Sequence, residues 1–317
     1  MQFLKLQFRP GLRTDVTSYT NEGGWRDGDK IRFRDGFPES IGGWDKLSDN
    51  TFLGTCRSLH PWVALDGSKF IGMGTHLKFY IAQGGTFLDI TPIRLTASAG
   101  DVTFSATDGS ATIEVSHTSH GALLGDFVTF SGAVSLGGTI TADILNAEHR
   151  ITALVDTDTY EIEVSVAANA SDSGNGGASV VGAYQINIGL DTSVVGAGWG
   201  ADPWGAGGWG SPATTTVAGA QLRLWSQDNF GEDLLLNVYD GGIYYWDRTT
   251  GLNARAVELA DLAGSESAPT LARKVLVSDT DRHVIAFGCD GEFSSGTQDP
   301  LLIRFSDQES LTEWRSL

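Results

Sequence analysis

The residues able to do chemistry come first. A literal Gly-x-Gly-x-x-Gly occurs at Gly205, Gly207 and Gly210. A dinucleotide site of that pattern needs a strand before it and a helix after it, because the helix N-terminus holds the pyrophosphate. Here Ser211-Pro212-Ala213-Thr214-Thr215-Thr216 follows, a poor helix, so no nucleotide site is expected. No nucleophile elbow, HExxH pair or P-loop is present. His117 and His120 are the one close histidine pair, and without a Cys or carboxylate at matching spacing they read as two exposed loop histidines. Asp27-Gly28-Asp29 and Asp156-Thr157-Asp158 lack the twelve-residue calcium loop and read as turns. Cys56 and Cys289 make no CxxC pair and sit in apolar contexts, so buried free thiols are expected, with a disulfide left open. The 39 acidic residues contain many possible glycosidase pairs and single out none. The sequence therefore predicts no catalytic, cofactor-binding or metal-ligating residues.

The most distinctive local feature is Gly198 to Gly210, where Trp199, Trp204 and Trp209 recur every five residues, each followed by glycine. That spacing fits neither one helix face nor one strand face. Each indole can fill its own pocket. The segment reads either as a docking loop that anchors neighbouring subunits or as a loop folded back on its own domain. The candidate subunit-docking residues are Trp199, Trp204 and Trp209.

The elements that must carry these residues read as strands. Glycine is frequent, with 41 residues in 317, and helix-forming runs are scarce, which favours strands and tight turns. Period-2 alternation marks Asp29–Arg34, and Lys69–Gly74, Leu77–Ile81 and, after a Gly84-Gly85 turn, Phe87–Ile90 read as a second hairpin. Residues 98–189 change character: Trp is absent, small polar residues dominate, and short strands at Ala111–Ser116, Asp126–Phe130 and Tyr160–Val164 suggest an inserted small β-sandwich or barrel. From 217 the first pattern returns, as Asp233–Tyr239 with Ile243–Asp247 and Arg282–Gly288 with Leu301–Ser306. These units form a weak internal repeat of about 50 residues, the kind expected of β-propeller blades. Two to three blades can be counted, and Trp314–Leu317 carry no strand signal. The expectation is an all-β fold with propeller-like blades, fewer than the four of a closed propeller, and an inserted small β-domain. Its parts are 1–97 (first hairpins), 98–189 (insertion), 190–216 (Trp-Gly loop) and 217–317 (further blades), with the chain continuing in a longer protein or its sheet completed by neighbours.

The net charge is −18. Gripping DNA through its phosphates needs clustered Lys and Arg, so an acidic chain suits solubility or a surface that DNA must slide past. No apolar run approaches the roughly 20 residues of a membrane helix, and no signal peptide opens the chain. Synthesis in the cytoplasm without membrane insertion is expected.

One stretch carries a resemblance. Phe8-Arg9-Pro10-Gly11-Leu12 is followed by Asn21-Glu22-Gly23-Gly24-Trp25, Ile31-Arg32-Phe33-Arg34 and Pro38-Glu39-Ser40-Ile41-Gly42-Gly43-Trp44. This pattern resembles the opening of tail nozzle proteins of short-tailed bacteriophages. Asp89-Ile90-Thr91-Pro92-Ile93, the Trp-Gly segment and Ile303–Glu309 with Trp314 are similar to the same family. The resemblance covers the flanking regions and reaches 98–189 only loosely. It implies a structural virion protein without enzymatic activity or cofactor. It further implies a ring, usually a hexamer, below the portal and adaptor, contacting tail fibres or a plug, retaining packaged DNA and conducting it during ejection without specific binding. The alternatives are a receptor- or glycan-binding tail module and a propeller-type glycan-cleaving enzyme.

Overall fold

A computed structural model describes residues 9–17, 19–43, 46, 48–191 and 222–316. The chain is all-β and divides into two compact units, 1–49 and 50–317. In the first unit, β1 (Ile31–Arg34) and β2 (Phe37–Ser40) form a hairpin over the Asp35-Gly36 turn. The Asn-x-Gly-Gly-Trp motif lies ahead of it. Asn21 is buried, its Nδ2 donates to the Trp25 carbonyl at 3.2 Å, and its own carbonyl accepts from Gly24 N at 2.9 Å. A Cβ on Gly24 would sit 2.0 Å from Asn21 Oδ1, so only glycine fits. The turn sets the Trp25 ring edge-on to Phe33, 6.3 Å away.

In the second unit the first sheet is a meander of β3 (Cys56–Val63), β4 (Lys69–Thr75), β5 (Phe79–Gln83) and β6 (Thr86–Asp89). Next come β7 (Ile93–Thr96), β8 (Thr103–Ala106), β9 (Thr112–Ser116), β10 (Phe127–Ser131), a single helical turn α1 (Ala142–Leu145), β11 (Glu148–Leu154), β12 (Thr159–Glu163), β13 (Asp172–Asn175) and β14 (Val181–Gln185). These eight strands pair in the order β13-β8-β9-β12-β11-β10-β14-β7. β11 pairs with β10 through Glu148–Arg150 and with β12 from Ile151 onward, where its register shifts. A strand that changes partner at a bulge turns a corner, so the sheet curls round one core of Phe104, Val115, Phe130, Tyr160 and Tyr184. Its first strand, β7, lies ahead of the expected boundary at residue 98, because four residues directly after Pro92 read as the end of the preceding hairpin.

Two more meanders follow. One is β15 (Trp225–Phe230), β16 (Asp233–Val238), β17 (Ile243–Trp246) and β18 (Val257–Glu258). The other is β19 (Lys274–Val277), β20 (Val284–Phe287), β21 (Ile303–Ser306) and β22 (Trp314–Ser316). Their first residues, Trp225 and Lys274, are 49 apart, matching the repeat read from the sequence. β22 corrects the expectation that the last residues lack a strand. Trp314 pairs with Ser306 and is buried, a long-range contact that local alternation cannot announce.

The three meanders, each a four-stranded blade, pack face on face. Phe70, Phe79 and Ile81 of the first meet Trp225, Leu234, Leu236 and Trp246 of the second. Leu235 and Ile243, on the opposite face of the second, pack with Val275, Val284 and Ala286 of the third. The continuous apolar run Leu234-Leu235-Leu236 has this cause: a strand covered on both faces has no polar side to alternate. Among the described residues, no helix is long and apolar enough to cross a membrane.

Candidate functional site

The strongest concentration of charge lies where the inserted sheet meets the first two blades. Thr75 Oγ1 accepts the N–H groups of Leu77 (3.2 Å) and Lys78 (2.8 Å), forming a tight turn that ends with Lys78 pointing inward. Lys78 is 2% exposed. Its ammonium bonds Asp89 Oδ2 at 2.7 Å, bonds Glu148, and lies 4.5 Å above the Phe127 ring. Arg255 reaches Asp89 Oδ1 at 2.6 Å and Glu148 Oε2 at 3.7 Å, and Gln185 donates to Glu148 Oε2 at 2.5 Å. Thr91 Oγ1 donates to Asp89 Oδ1 at 2.6 Å. Burial works against the Asp89 carboxylate, but Lys78 and Arg255 outweigh it and hold its pKa below the ordinary value. Every oxygen of both carboxylates is engaged, so the cluster joins blades to insertion and offers no free base.

A second junction joins the first strands of the blades. Gln227 donates to Ser58 Oγ at 3.0 Å, and His60 meets Asn229 at 2.6 Å. Ser226 Oγ and Asp228 Oδ2 accept the backbone N–H groups of Val275 (3.1 Å) and Val277 (2.9 Å). Asn237, fully buried on β16, donates to the Ala272 carbonyl at 3.1 Å. Polar side chains thus replace the ladder bonds that β15 and β19 do not make with each other. The first blade approaches closely here: a Cβ on Gly74 would lie 2.4 Å from the Trp225 ring. β3, β15 and β19 line a shared cavity of about 460 Å³.

On the inserted sheet, Ser105, Ser110, Thr112, Glu114, Glu161 and Ser171 line a groove of about 610 Å³. Glu114 and Glu161 are direct cross-strand partners. This carboxylate pair is the one the sequence could not select, since the two belong to strands joined through three intervening elements, β10, α1 and β11. No aromatic or large aliphatic wall lines the groove.

His117 and His120 are not exposed loop histidines: both are buried, at 8% and 2%. His117 Nδ1 lies 2.8 Å from the Tyr184 hydroxyl, which lies 2.9 Å from that of Tyr160. His120 Nδ1 accepts from Ala122 N at 2.9 Å, and its ring packs edge-on to Tyr160. Sequence spacing missed this because the partners lie up to 67 residues away. Asp156 and Asp158 form the expected turn, with Asp158 N donating to Asp156 Oδ1 at 2.8 Å. Both cysteines are free; Cys289 is buried and Cys56 half-buried. Among the described residues, no group of three or more His, Cys, Asp and Glu is arranged to hold a metal ion. Trp199, Trp204 and Trp209, and the glycines at 205, 207 and 210, lie outside the described residues. The segment leaves and returns beside an isolated bridge between Leu190 and Leu222.

No protein-family model matches the chain, and no curated protein matches it. Among solved structures, phage phi92 endosialidase is similar at 13% identity and a TM-score of 0.24, over 89% of this chain and 40% of that one. The chain thus spans less than half of that protein's length. A similarity of this size transfers neither fold nor activity.

Proposed function

We propose that this chain is a structural, non-enzymatic subunit of a short phage tail, part of a nozzle ring below the portal and adaptor that retains packaged DNA and conducts it during ejection. The observation that carries the reading is the residue pattern from Asn21 to Trp44 and its resemblance to tail nozzle proteins. Its described part has structural reasons for its residue types, in the Asn21–Gly24 lock and the β1–β2 hairpin. The propeller-like blades agree with the body such subunits have. The net charge of −18 suits a wall that DNA passes without binding. In this reading Trp199, Trp204 and Trp209 anchor neighbouring subunits, and the protein resides in the virion.

Electron microscopy of particles assembled without this protein tests the proposal. Emptied heads with truncated tails support it. DNA-filled, complete particles that fail to adsorb contradict it.

The receptor- or glycan-binding reading draws on the hydroxyl-lined groove at Glu114 and Glu161, whose donors and acceptors suit sugar hydroxyls. Loss of specific binding on a glycan array in Glu161→Ala, with particle assembly intact, would favour it.

A further inference from the structure

The loop from His117 to Asp126 joins β9 to β10 and carries two neighbouring leucines, Leu123 and Leu124, each more than half exposed. It is braced from several sides. Ser119 N donates to Asp158 Oδ1 at 2.7 Å, Arg94 Nη2 donates to the His120 carbonyl at 3.0 Å, and Leu123 N donates to Asp126 Oδ2 at 2.8 Å. Asp126, almost fully buried, also accepts from Ile188 N at 3.0 Å.

The two histidines complete this bracing in one protonation state. Because His120 Nδ1 accepts the Ala122 N–H, the neutral ring carries its proton on Nε2, which faces the Asp156 backbone. A second proton must go to Nδ1, where it displaces the Ala122 N–H. With its proton on Nε2, neutral His117 accepts at Nδ1 from the Tyr184 hydroxyl, which lies 2.9 Å from that of Tyr160. Protonation makes Nδ1 a donor and leaves one hydroxyl of this buried tyrosine pair without an acceptor.

We propose that His117 and His120 form an acid-released latch: neutral, they hold the His117–Asp126 loop and its Leu123–Leu124 tip in place, and protonated, they free it.

Burial opposes protonation in the closed loop, and Arg94 adds to it at both rings, whereas Asp101 favours protonation of His117 and Asp158 that of His120. Arg94 from β7 lies 5.6 Å over the Tyr184 ring and bonds the His120 carbonyl. The facing carboxylates, Asp101 and Asp158, belong to turns and each accepts a backbone N–H, from Ser98 and Ser119. The remaining titratable groups packed on the pair, Tyr160 of β12 and Tyr184 of β14, stay neutral over this range; burial raises both. Burial first, then Arg94 and the second histidine, holds His120 below the ordinary histidine value, and burial does the same for His117. The open loop binds protons more readily than the closed one. The latch is therefore fully engaged above about pH 6.5 and loses its hold as pH falls below that value.

Hydrogen exchange of the full chain at pH 7.5 and 5.5, corrected for intrinsic rates, tests this. The Ala122 and Leu123 amides should lose several-fold in protection, up to about tenfold for each histidine over this pH interval, while amides of β16 keep theirs. In His117→Gln with His120→Asn, whose amide oxygens accept the same bonds without titrating, the pH dependence should vanish. Persistence of the loss in that variant overturns the proposal. Should the variant fail to fold, NMR titration of the native histidines decides: values below 6.5 for both support the latch, and a value at or above 6.5 for either overturns it.

Discussion

Lys78 and Asp89 face each other across β5 and β6 with their charges 2.7 Å apart, and Glu148 of the inserted sheet closes on the same ammonium. The insertion is thereby tied to the first blade by a charge that has left water almost completely. Removing one partner of such a cluster leaves the others buried and uncompensated, which costs more than the pair itself contributes.

Lys78→Met should therefore destabilise the protein by about 3 kcal/mol, read from urea unfolding at pH 7. A change under about 0.5 kcal/mol, the size of an ordinary surface substitution, would contradict the role given to the cluster.

The same cluster sets an acid limit. Asp89 titrates below its ordinary value when folded, so its stabilisation is complete above the unfolded carboxylate range near pH 4 and disappears as pH falls through the folded value. Lys78→Met should move the acid-unfolding midpoint to higher pH. Far-UV circular dichroism against pH would show this, and an unchanged midpoint would count against it.

Asn237→Asp places an acceptor where the native side chain donates to the carbonyls of Val238, Gly241, Gly242 and Ala272. We expect a loss of more than about 2 kcal/mol, since a buried acceptor among carbonyls is unpaired as well as charged. Asn237→Ala should cost less. Thermal melts of both variants test the order, and the reverse order would contradict the bonding scheme.

Gly24→Ala drives its new methyl into the Asn21 amide and should break the Asn21–Trp25 bond, at a cost of about 1–2 kcal/mol in the first unit alone. Limited proteolysis within residues 9–43 should accelerate while the blades resist. Equal resistance to wild type would show that the turn does not need glycine there.

Thiol labelling should separate the cysteines. Burial raises both thiols, and Cys289 is fully enclosed. In the native protein Cys56 should react slowly with a disulfide reagent and Cys289 not measurably, with both reacting after unfolding. Rapid labelling of Cys289 would place its strand end outside the core.

Much of the blade pattern was legible in the sequence. Lys69–Gly74, Asp233–Tyr239 and Ile243–Asp247 announce β4, β16 and β17 because each is a short apolar run bounded by glycine turns. The first strand of each blade was not. β15 reads Trp-Ser-Gln-Asp-Asn-Phe, and its polar residues look like a loop until Ser226, Gln227 and Asp228 are seen bonding the strands beside it. Period-2 patterning reports burial against apolar neighbours and is silent where a strand is held by side-chain hydrogen bonds.

By itself, then, the order of residues determined the fold class, the turns and the central strands, since these depend on local backbone preference and on which face is apolar. It also determined the Asn21–Trp25 turn, whose partners are near neighbours. Only the tertiary structure decided that Lys78 is buried, that His117 and His120 are enclosed, and that Glu114 faces Glu161. A lysine or histidine is driven outward by the cost of desolvation unless partners meet it inside. Here those partners arrive from 11 to 70 residues away, a distance that no local pattern spans.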